Sequence, residues 1–322
     1  MPMCGRGYTF AMSSGSNTPN YRGRFAPSPS GPLHFGSLVA ALGSYLQARA
    51  HGGLWLLRID DIDPPREVRG AAAGILRSLE RYGLQWDGAV LYQSQRSEAY
   101  GDTLQRLAAL GQSYPCACSR KEIAARSPAL VYPGTCRGGL PAGREGRAIR
   151  VRSPARPVRF EDRLQGPQVC NLEGEIGDFV VKRADGLYAY HLATALDDAF
   201  QGVTEIVRGA DLLPATFPQR YLRELLELPQ PAVLHLPVVT DAEGRKLSKQ
   251  TRARAIDDFP PGELLTRALD FLHHPPPQAL RGAPPEEQLI WAVAHWSSDR
   301  LPPRRQIPFN PHRSATATEE LA

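Results

Sequence analysis

Between residues 21 and 82 the chain switches repeatedly between the hydrophobic period of a strand and that of a helix. Residues 21–26 read as a short strand, broken into a loop by Pro27, Pro29, Gly31 and Pro32. From 35 to 49 apolar residues recur at helical spacing, with Leu38, Leu42, Tyr45 and Leu46 on one stripe, and Gly52-Gly53 stops the run. Leu54–Ile59 is an apolar run of strand length, and 69–82 is a second helix halted at Gly83. Strand, loop, helix, strand, helix predicts a βαβ unit and hence an α/β fold around a parallel sheet. Such sheets bind ligands at the carboxyl ends of their strands, which directs attention to the Pro-rich loop after Ala26.

Residues 95–111 predict a further helix. Over 115–147 periodicity fades while Pro, Gly and Cys accumulate, which predicts an insertion between two halves of a nucleotide-binding fold. Strand and helix patterns return over 179–192, and a helix over 215–226. Pro260-Pro261, Pro275-Pro276-Pro277, Pro284-Pro285 and Pro302-Pro303 then bracket two amphipathic helices, at 262–273 and 285–296. The expected division is a disordered tail (1–20), the first half of a Rossmann-type domain (21–114), an insertion (115–175), the second half (176–258), a short helical C-terminal region (259–312) and a disordered tail (313–322).

Within 322 residues no apolar run approaches the ~20 needed to span a bilayer. The first twenty residues lack the continuous apolar stretch of a signal peptide, and Met12 is an alternative start. Five cysteines, an odd number without a leader, point to a reducing compartment, the cytoplasm, and to metal binding or free thiols rather than disulfides. The formal charge of +5 fits a nucleic-acid partner and equally an Arg-rich genome. Only four lysines, Lys121, Lys182, Lys246 and Lys249, stand among 38 basic residues. Two of them lie three positions apart, so that site is read as one whose chemistry requires a compact ammonium rather than a planar guanidinium.

The candidate site residues follow. His34-Phe-Gly36-Ser37 opens a helix after the Pro-rich loop, where free amides attract anions and a His can donate to a phosphate oxygen. Lys246-Leu-Ser-Lys249-Gln follows the turn signal Asp241-Ala-Glu-Gly244, so two ammonium groups can close over a triphosphate. Arg58-Ile-Asp60-Asp61-Ile-Asp63 ends a strand with three carboxylates, suited to a metal, an ammonium group or a basic partner. Cys116, Cys118 and Cys136, with Tyr132 between them, form either a zinc site or a set of buried thiols.

The string Arg24-Phe-Ala-Pro-Ser-Pro-Ser-Gly-Pro-Leu-His34-Phe-Gly36-Ser37 and the lysine loop together resemble the two signature motifs of class I aminoacyl-tRNA synthetases, in the wording of the glutamate-specific branch. The second motif is usually K-M-S-K-S; here Leu247 and Gln250 depart from it and both lysines remain. Asp60 stands where the family's R-I-E-D-x-D has Glu. Gly202-Val-Thr-Glu-Ile-Val-Arg208-Gly-Ala-Asp211 matches E-V-V-R-G-x-D, and Tyr190 matches a substrate-lining tyrosine. The resemblance implies a Rossmann-type catalytic domain that takes ATP with magnesium as substrate. It implies ATP binding by His34, Gly36, Ser37, Lys246 and Lys249, with His34, Lys246 and Lys249 catalytic. It implies L-glutamate binding by Arg24, Phe25, Ala26, Pro27, Ser28, Asp60, Tyr190 and Arg208.

Within that branch the C-x-C then Y-x-x-x-C pattern resembles the short glutamyl-Q tRNA(Asp) synthetases, which implies one structural zinc held by Cys116, Cys118, Tyr132 and Cys136. Only 73 residues follow Lys249, and the expectation is a chain without an anticodon-binding domain. The resemblance then implies tRNA-independent activation of glutamate and its transfer to the queuosine base in the anticodon arm of tRNA(Asp), by a monomer. The alternatives are a short glutamyl-tRNA synthetase charging the tRNA 3′ end and a non-catalytic paralogue that binds tRNA or glutamate. Cys4 and Cys170 match nothing.

Overall fold

The fold is described by a computed structural model covering residues 21–127, 129, 131–241, 243–246 and 254–309. The predicted tails, Cys4 and Lys249 lie outside the described residues. β1 (Arg22–Phe25) leads through the Pro-rich loop into α1 (Phe35–Ala50), and β2 (Leu54–Ile59) returns parallel to β1 with Arg24 opposite Leu56. The α1 stripe behaves as its spacing predicts: Leu38, Leu42 and Leu46 are fully buried. Gly53 is required where α1 turns into β2, because a Cβ there would stand 2.6 Å from the Tyr21 carbonyl oxygen. α2 (Ala71–Arg81) crosses over to β3 (Leu91–Tyr92), which pairs parallel with the end of β2.

α3 (Ser97–Ala109) precedes β4 (Ser113–Cys116), α4 (Arg120–Arg126), β5 (Ala148–Val151), β6 (Val158–Asp162), β7 (Gly166–Cys170), a one-turn α5 (Leu172–Glu175) and β8 (Phe179–Lys182). β4, β5 and β8 form an antiparallel sheet, and β6 and β7 an antiparallel hairpin. α3 and the strand β8 stand where the sequence predicts a helix (95–111) and a return of strand and helix patterns (179–192), whereas β4, α4, β5, β6 and β7 were not legible as such. α4 is seven residues long with its own Ser119–Glu122 capping box, too short to display a helical period. The expected boundary at 114/115 falls inside β4, and β8, assigned to the following half, takes its hydrogen bonds from β5. Pairing partners of this kind leave no periodic trace.

α6 (Tyr190–Phe200), β9 (Glu205–Gly209), α7 (Leu213–Leu225) and β10 (Ala232–Leu236) complete a second parallel pair, β9 with β10. The two parallel groups meet where the Thr204 N–H donates to the Arg22 carbonyl at 2.9 Å. β11 (Val238–Thr240) runs toward the lysine loop. α8 (Pro261–Phe271) and α9 (Pro285–His295) pack on α1, and β12 (Gln306–Pro308) pairs parallel with β11. Leu265, Leu269 and Leu289 share one core with Leu38, Trp55 and Ile75, so the C-terminal helices complete the first half rather than standing apart from it. No described helix is long and apolar enough to cross a membrane.

A buried ion network crosses between the halves. On α6 the Asp198 Oδ1 accepts from Arg24 Nε at 3.1 Å and from Arg58 Nη1 at 2.5 Å, and Arg223 Nη2 of α7 lies 3.8 Å from its Oδ2. Arg58 also donates from Nε to Asp60 Oδ1 at 2.7 Å. Burial pushes the Asp198 carboxyl up, but the charges of Arg24, Arg58 and Arg223 outweigh burial and hold it below the usual carboxylate range. Asp198→Ala takes the shared anion from three buried guanidiniums, leaving Asp60 as the carboxylate on Arg58, and is expected to cost about 3–5 kcal/mol in urea unfolding. Asp198's contribution is complete above a pH of about 4 and is lost as pH falls toward the depressed native pKa. A loss near zero in the variant would refute the network's role.

Candidate active site

A cavity of about 310 Å³ opens at the carboxyl ends of β1 and β2, lined by Ser28, Asp60, Gln93, Arg183, Tyr188, Tyr190 and His191 among others. Asp60 follows β2 directly, and its N–H donates to the Pro27 carbonyl at 3.0 Å, which clips the Pro-rich loop over the strand end. Burial is the main reason its carboxyl is pushed up to about 6; Asp198 adds to the rise and Arg58 opposes it. The other two carboxylates of that segment diverge. Asp61 accepts from the Ser94 backbone and hydroxyl at 2.9 and 2.7 Å, while Asp63 accepts from Arg183 Nη1 at 3.0 Å and also pairs with Arg66. The three therefore do not converge on a metal. Burial and the nearby Arg208 lower His191 to about 4, so this cavity wall carries a neutral imidazole.

Ser28, Asp60 and Tyr190 thus meet in one cavity, and Tyr190 leads to Arg208. Arg208 is buried, its Nη1 3.3 Å from the Tyr190 hydroxyl, and its Nη2 donates to Leu212 O, Thr216 Oγ1 and Gln219 Oε1. Arg24 is held behind the pocket by Asp198 and by the Val207 carbonyl, which accepts from its Nη1 at 3.3 Å. Phe25 points into the core against Trp55, ring centroids 6.3 Å apart, which leaves only its backbone for the site. Ala26 and Pro27 are half-buried backbone of the loop.

The second part of the site lies at the start of α1. His34 is its N-cap, and Nδ1 accepts from the Ser37 N–H at 3.3 Å, which places the ring proton on Nε2, a donor. Gly36 and Ser37 occupy the first turn, where the Ser37 N–H is taken up by His34, donating to its carbonyl at 2.9 Å as well as to Nδ1. The lysine loop is anchored on both sides of its undescribed residues. Before them, Lys246 Nζ donates to Asp211 Oδ2 at 2.5 Å; after them, Ala255 bridges to His34 and the Ile256 N–H donates to Leu33 O at 3.0 Å. These contacts fix Lys246 beside Asp211 and residues 255–256 beside the start of α1. Where Lys249 sits is outside the described residues.

Cys116, Cys118 and Cys136 cluster with their sulfurs within 4.8 Å of one another, the one such group of possible metal ligands among the described residues. The Cys118–Cys136 separation is 3.7 Å, close to the roughly 3.8 Å between two sulfurs on a tetrahedral zinc. The Tyr132 hydroxyl lies 3.3 Å from Cys116 Sγ and 3.9 Å from Cys118 Sγ and accepts from the Cys136 N–H at 2.9 Å, so it stands beside three thiols whose chemistry and spacing fit a zinc ion. Gly177 permits this: a Cβ on it would lie 2.5 Å from the Tyr132 carbonyl oxygen, and its φ of +73° suits glycine. Arg150 supports the cluster, donating to Cys116 Sγ at 3.3 Å and lying 3.8 Å over the Tyr132 ring. Cys170 lies apart in the second core, its thiol pushed up to about 11 by burial.

Sequence reasoning missed Asp198, Arg223, Gln93 and His235. Asp197-Asp198 in an otherwise apolar helix, and His235 in the apolar strand Ala-Val-Leu-His-Leu, were the signals available.

The model of the tRNA synthetase class I (E and Q) catalytic domain matches residues 20–131 and 140–260. The chain is 54% identical to the glutamyl-Q tRNA(Asp) synthetase of Aromatoleum aromaticum, over 94% of this chain and 96% of that protein. It is 55% identical to the glutamyl-Q tRNA(Asp) synthetase of Thiobacillus denitrificans, over 87% and 94% of the two chains. The crystal structure of a glutamate tRNA ligase from Elizabethkingia meningosepticum in complex with its amino acid superposes with a TM-score of 0.76 at 24% identity, covering 90% of this chain and 67% of that one; this likeness is one of fold. With a matching catalytic-domain model and relatives above half identity along nearly the whole chain, the protein belongs to the glutamyl-Q tRNA(Asp) synthetase family of class I synthetases.

Proposed function

We propose that the protein is a ligase that activates glutamate with ATP and transfers it to the queuosine base of tRNA(Asp). The observation that carries this reading is the 54% identity along 94% of the chain to a glutamyl-Q tRNA(Asp) synthetase. In the first step a glutamate carboxylate oxygen attacks the α-phosphorus of ATP, pyrophosphate leaves and a mixed anhydride forms. In the second a hydroxyl of the cyclopentenediol attacks the acyl carbon, AMP leaves and an ester forms, the hydroxyl proton passing to solvent or phosphate.

The chain's own residues divide this work. Asp60 and the Tyr190 hydroxyl receive the substrate's ammonium group, and Arg208 and Arg24 supply the cationic field for its carboxylates. Ser28 and the backbone of Phe25, Ala26 and Pro27 form the loop wall. His34, through Nε2, the Gly36 amide and the Ser37 hydroxyl hold ATP phosphate, and Lys246 and Lys249 follow the charge that develops on the leaving pyrophosphate. Magnesium enters with ATP. Cys116, Cys118 and Cys136, with Tyr132, would hold a zinc ion, which would supply a structural crosslink between the end of β4 and the 131–137 segment. The anticodon arm is the part of the tRNA that enters the groove, and the protein acts as a monomer in the cytoplasm.

The acceptor is tested with a hairpin. A queuosine-containing anticodon stem-loop of tRNA(Asp) is expected to accept labelled glutamate nearly as well as the whole tRNA. The same hairpin with guanine at the wobble position, or with its queuosine diol cleaved by periodate, is expected to accept none. Transfer that ignores queuosine and requires the tRNA 3′ end would make the protein a charging synthetase instead.

Asp60 gives the pocket a pH response. Its carboxyl sits near 6, so KM for glutamate in ATP–pyrophosphate exchange is expected to rise as pH falls below about 6, approaching tenfold per unit. Asp60→Asn is expected to have a high KM that no longer shows this slope. A wild-type KM that is flat from pH 7 to 5 would remove Asp60 from the ammonium site.

One zinc per chain is expected to co-purify, and Cys116→Ser or Cys136→Ser to release it with a fall in thermal stability and little effect on exchange. Metal analysis that finds no zinc in freshly purified protein would return the three cysteines to buried thiols.

A further inference from the structure

The guanidinium of Arg208 is oriented from behind by a buried chain of side chains reaching into the β6–β7 hairpin. Arg208 Nε donates to His235 Nε2 at 3.1 Å, and the Thr216 hydroxyl lies 3.2 Å from the same nitrogen. A guanidinium only donates, so His235 Nε2 is an acceptor and its ring proton is on Nδ1. That Nδ1 donates to Asp162 Oδ2 at 2.5 Å. Both His235 and Asp162 are buried, His235 to 0% exposure. Asp162 is itself fixed by three backbone donors to Oδ1, from Leu164 at 3.1 Å, Gln165 at 2.8 Å and His235 at 3.2 Å. With Nε committed to His235 and Nη2 to Leu212, Thr216 and Gln219, the edge of Arg208 left toward the cavity is Nη1, beside Tyr190.

We propose that Asp162 and His235 are positioning residues: together they hold Arg208 in the one orientation that presents Nη1 to the amino acid. The inference rests on the reading of Arg208 as a carboxylate partner of glutamate. It adds a physical link between the hairpin, which lies within the 115–175 segment, and the amino-acid pocket. A carboxylate behind an imidazole keeps the ring in the tautomer that accepts, and a hydrophobic replacement would leave the Arg208 Nε–H buried without a partner.

The test is ATP–pyrophosphate exchange with glutamate and ATP varied separately. In His235→Leu, KM for glutamate is expected to rise roughly 10- to 100-fold, the range for one hydrogen bond to a charged group. KM for ATP and kcat at saturating glutamate should stay within about twofold, as befits loss of uniform binding. His235→Gln keeps an acceptor within reach of Arg208 and should recover KM to within about threefold of wild type, which a role in packing alone would not give. Asp162→Asn, which keeps the backbone-bound Oδ1 but sets an amide N–H against the imidazole Nδ1–H and so disfavours the accepting tautomer, should raise KM for glutamate by roughly 10-fold or more and stands in if His235→Leu does not fold. An unchanged KM for glutamate in His235→Leu, an equal rise in both KM values, or no recovery in His235→Gln overturns the inference. If the soluble variants are limited to Asp162→Asn, an unchanged KM does so. Arg208→Lys separates the two levels. If it leaves KM for glutamate unchanged, the pocket reading fails and this inference falls with it; if it raises KM while the His235 and Asp162 variants do not, only the inference fails.

Discussion

One carboxylate carries the architecture. Asp198 receives guanidinium groups from β1, β2 and α7 while sitting on α6, so one buried anion ties together side chains from both stretches of chain that build the parallel strands. A desolvated charge of this kind is unfavourable unless every partner is in place, which makes the arrangement close to all-or-none. That property suits a site whose parts come from opposite ends of the sequence. Arg24 and Arg58 cannot settle until α6 has docked, and Asp60 takes its position from Arg58.

The same network separates the behaviour of two neighbouring aspartates. Asp198 is surrounded by cations and is held ionised, whereas Asp60 shares Arg58 with it and is left near 6 by burial. The first serves as scaffold, and the second is left within reach of protonation. The division follows from how many guanidiniums each faces, not from the residue type.

Much of this was legible in the chain, for reasons that can be named. α1, β2 and α2 announce themselves because their buried faces repeat at fixed intervals and Gly or Pro marks their ends. Arg208, Asp60, Tyr190 and the cysteines were recognisable because motif residues surround them. What stayed hidden is whatever depends on distant partners. Asp162 reads as an ordinary turn aspartate in Phe-Glu-Asp, and nothing local tells that its carboxylate meets His235, 73 positions on. Arg58 looked like a motif residue of unknown purpose until α6 supplied Asp198, 140 positions away. The β4–β5–β8 sheet escaped for the same cause, since its strands are short, Pro-containing or irregularly registered.

The end of the described chain has a mechanical meaning. β12 lies alongside β11, whose last residue, Thr240, is bridged to Lys246, and Phe309 both donates to Thr240 O at 2.8 Å and stacks on Phe35 of α1 with centroids 4.0 Å apart. A force applied to the C-terminal segment would therefore load β11 in shear and tug the first turn of α1 at the same time. A fusion partner or a surface tether joined through the C-terminal segment would thus hold a lever on β11 and on the start of α1 together.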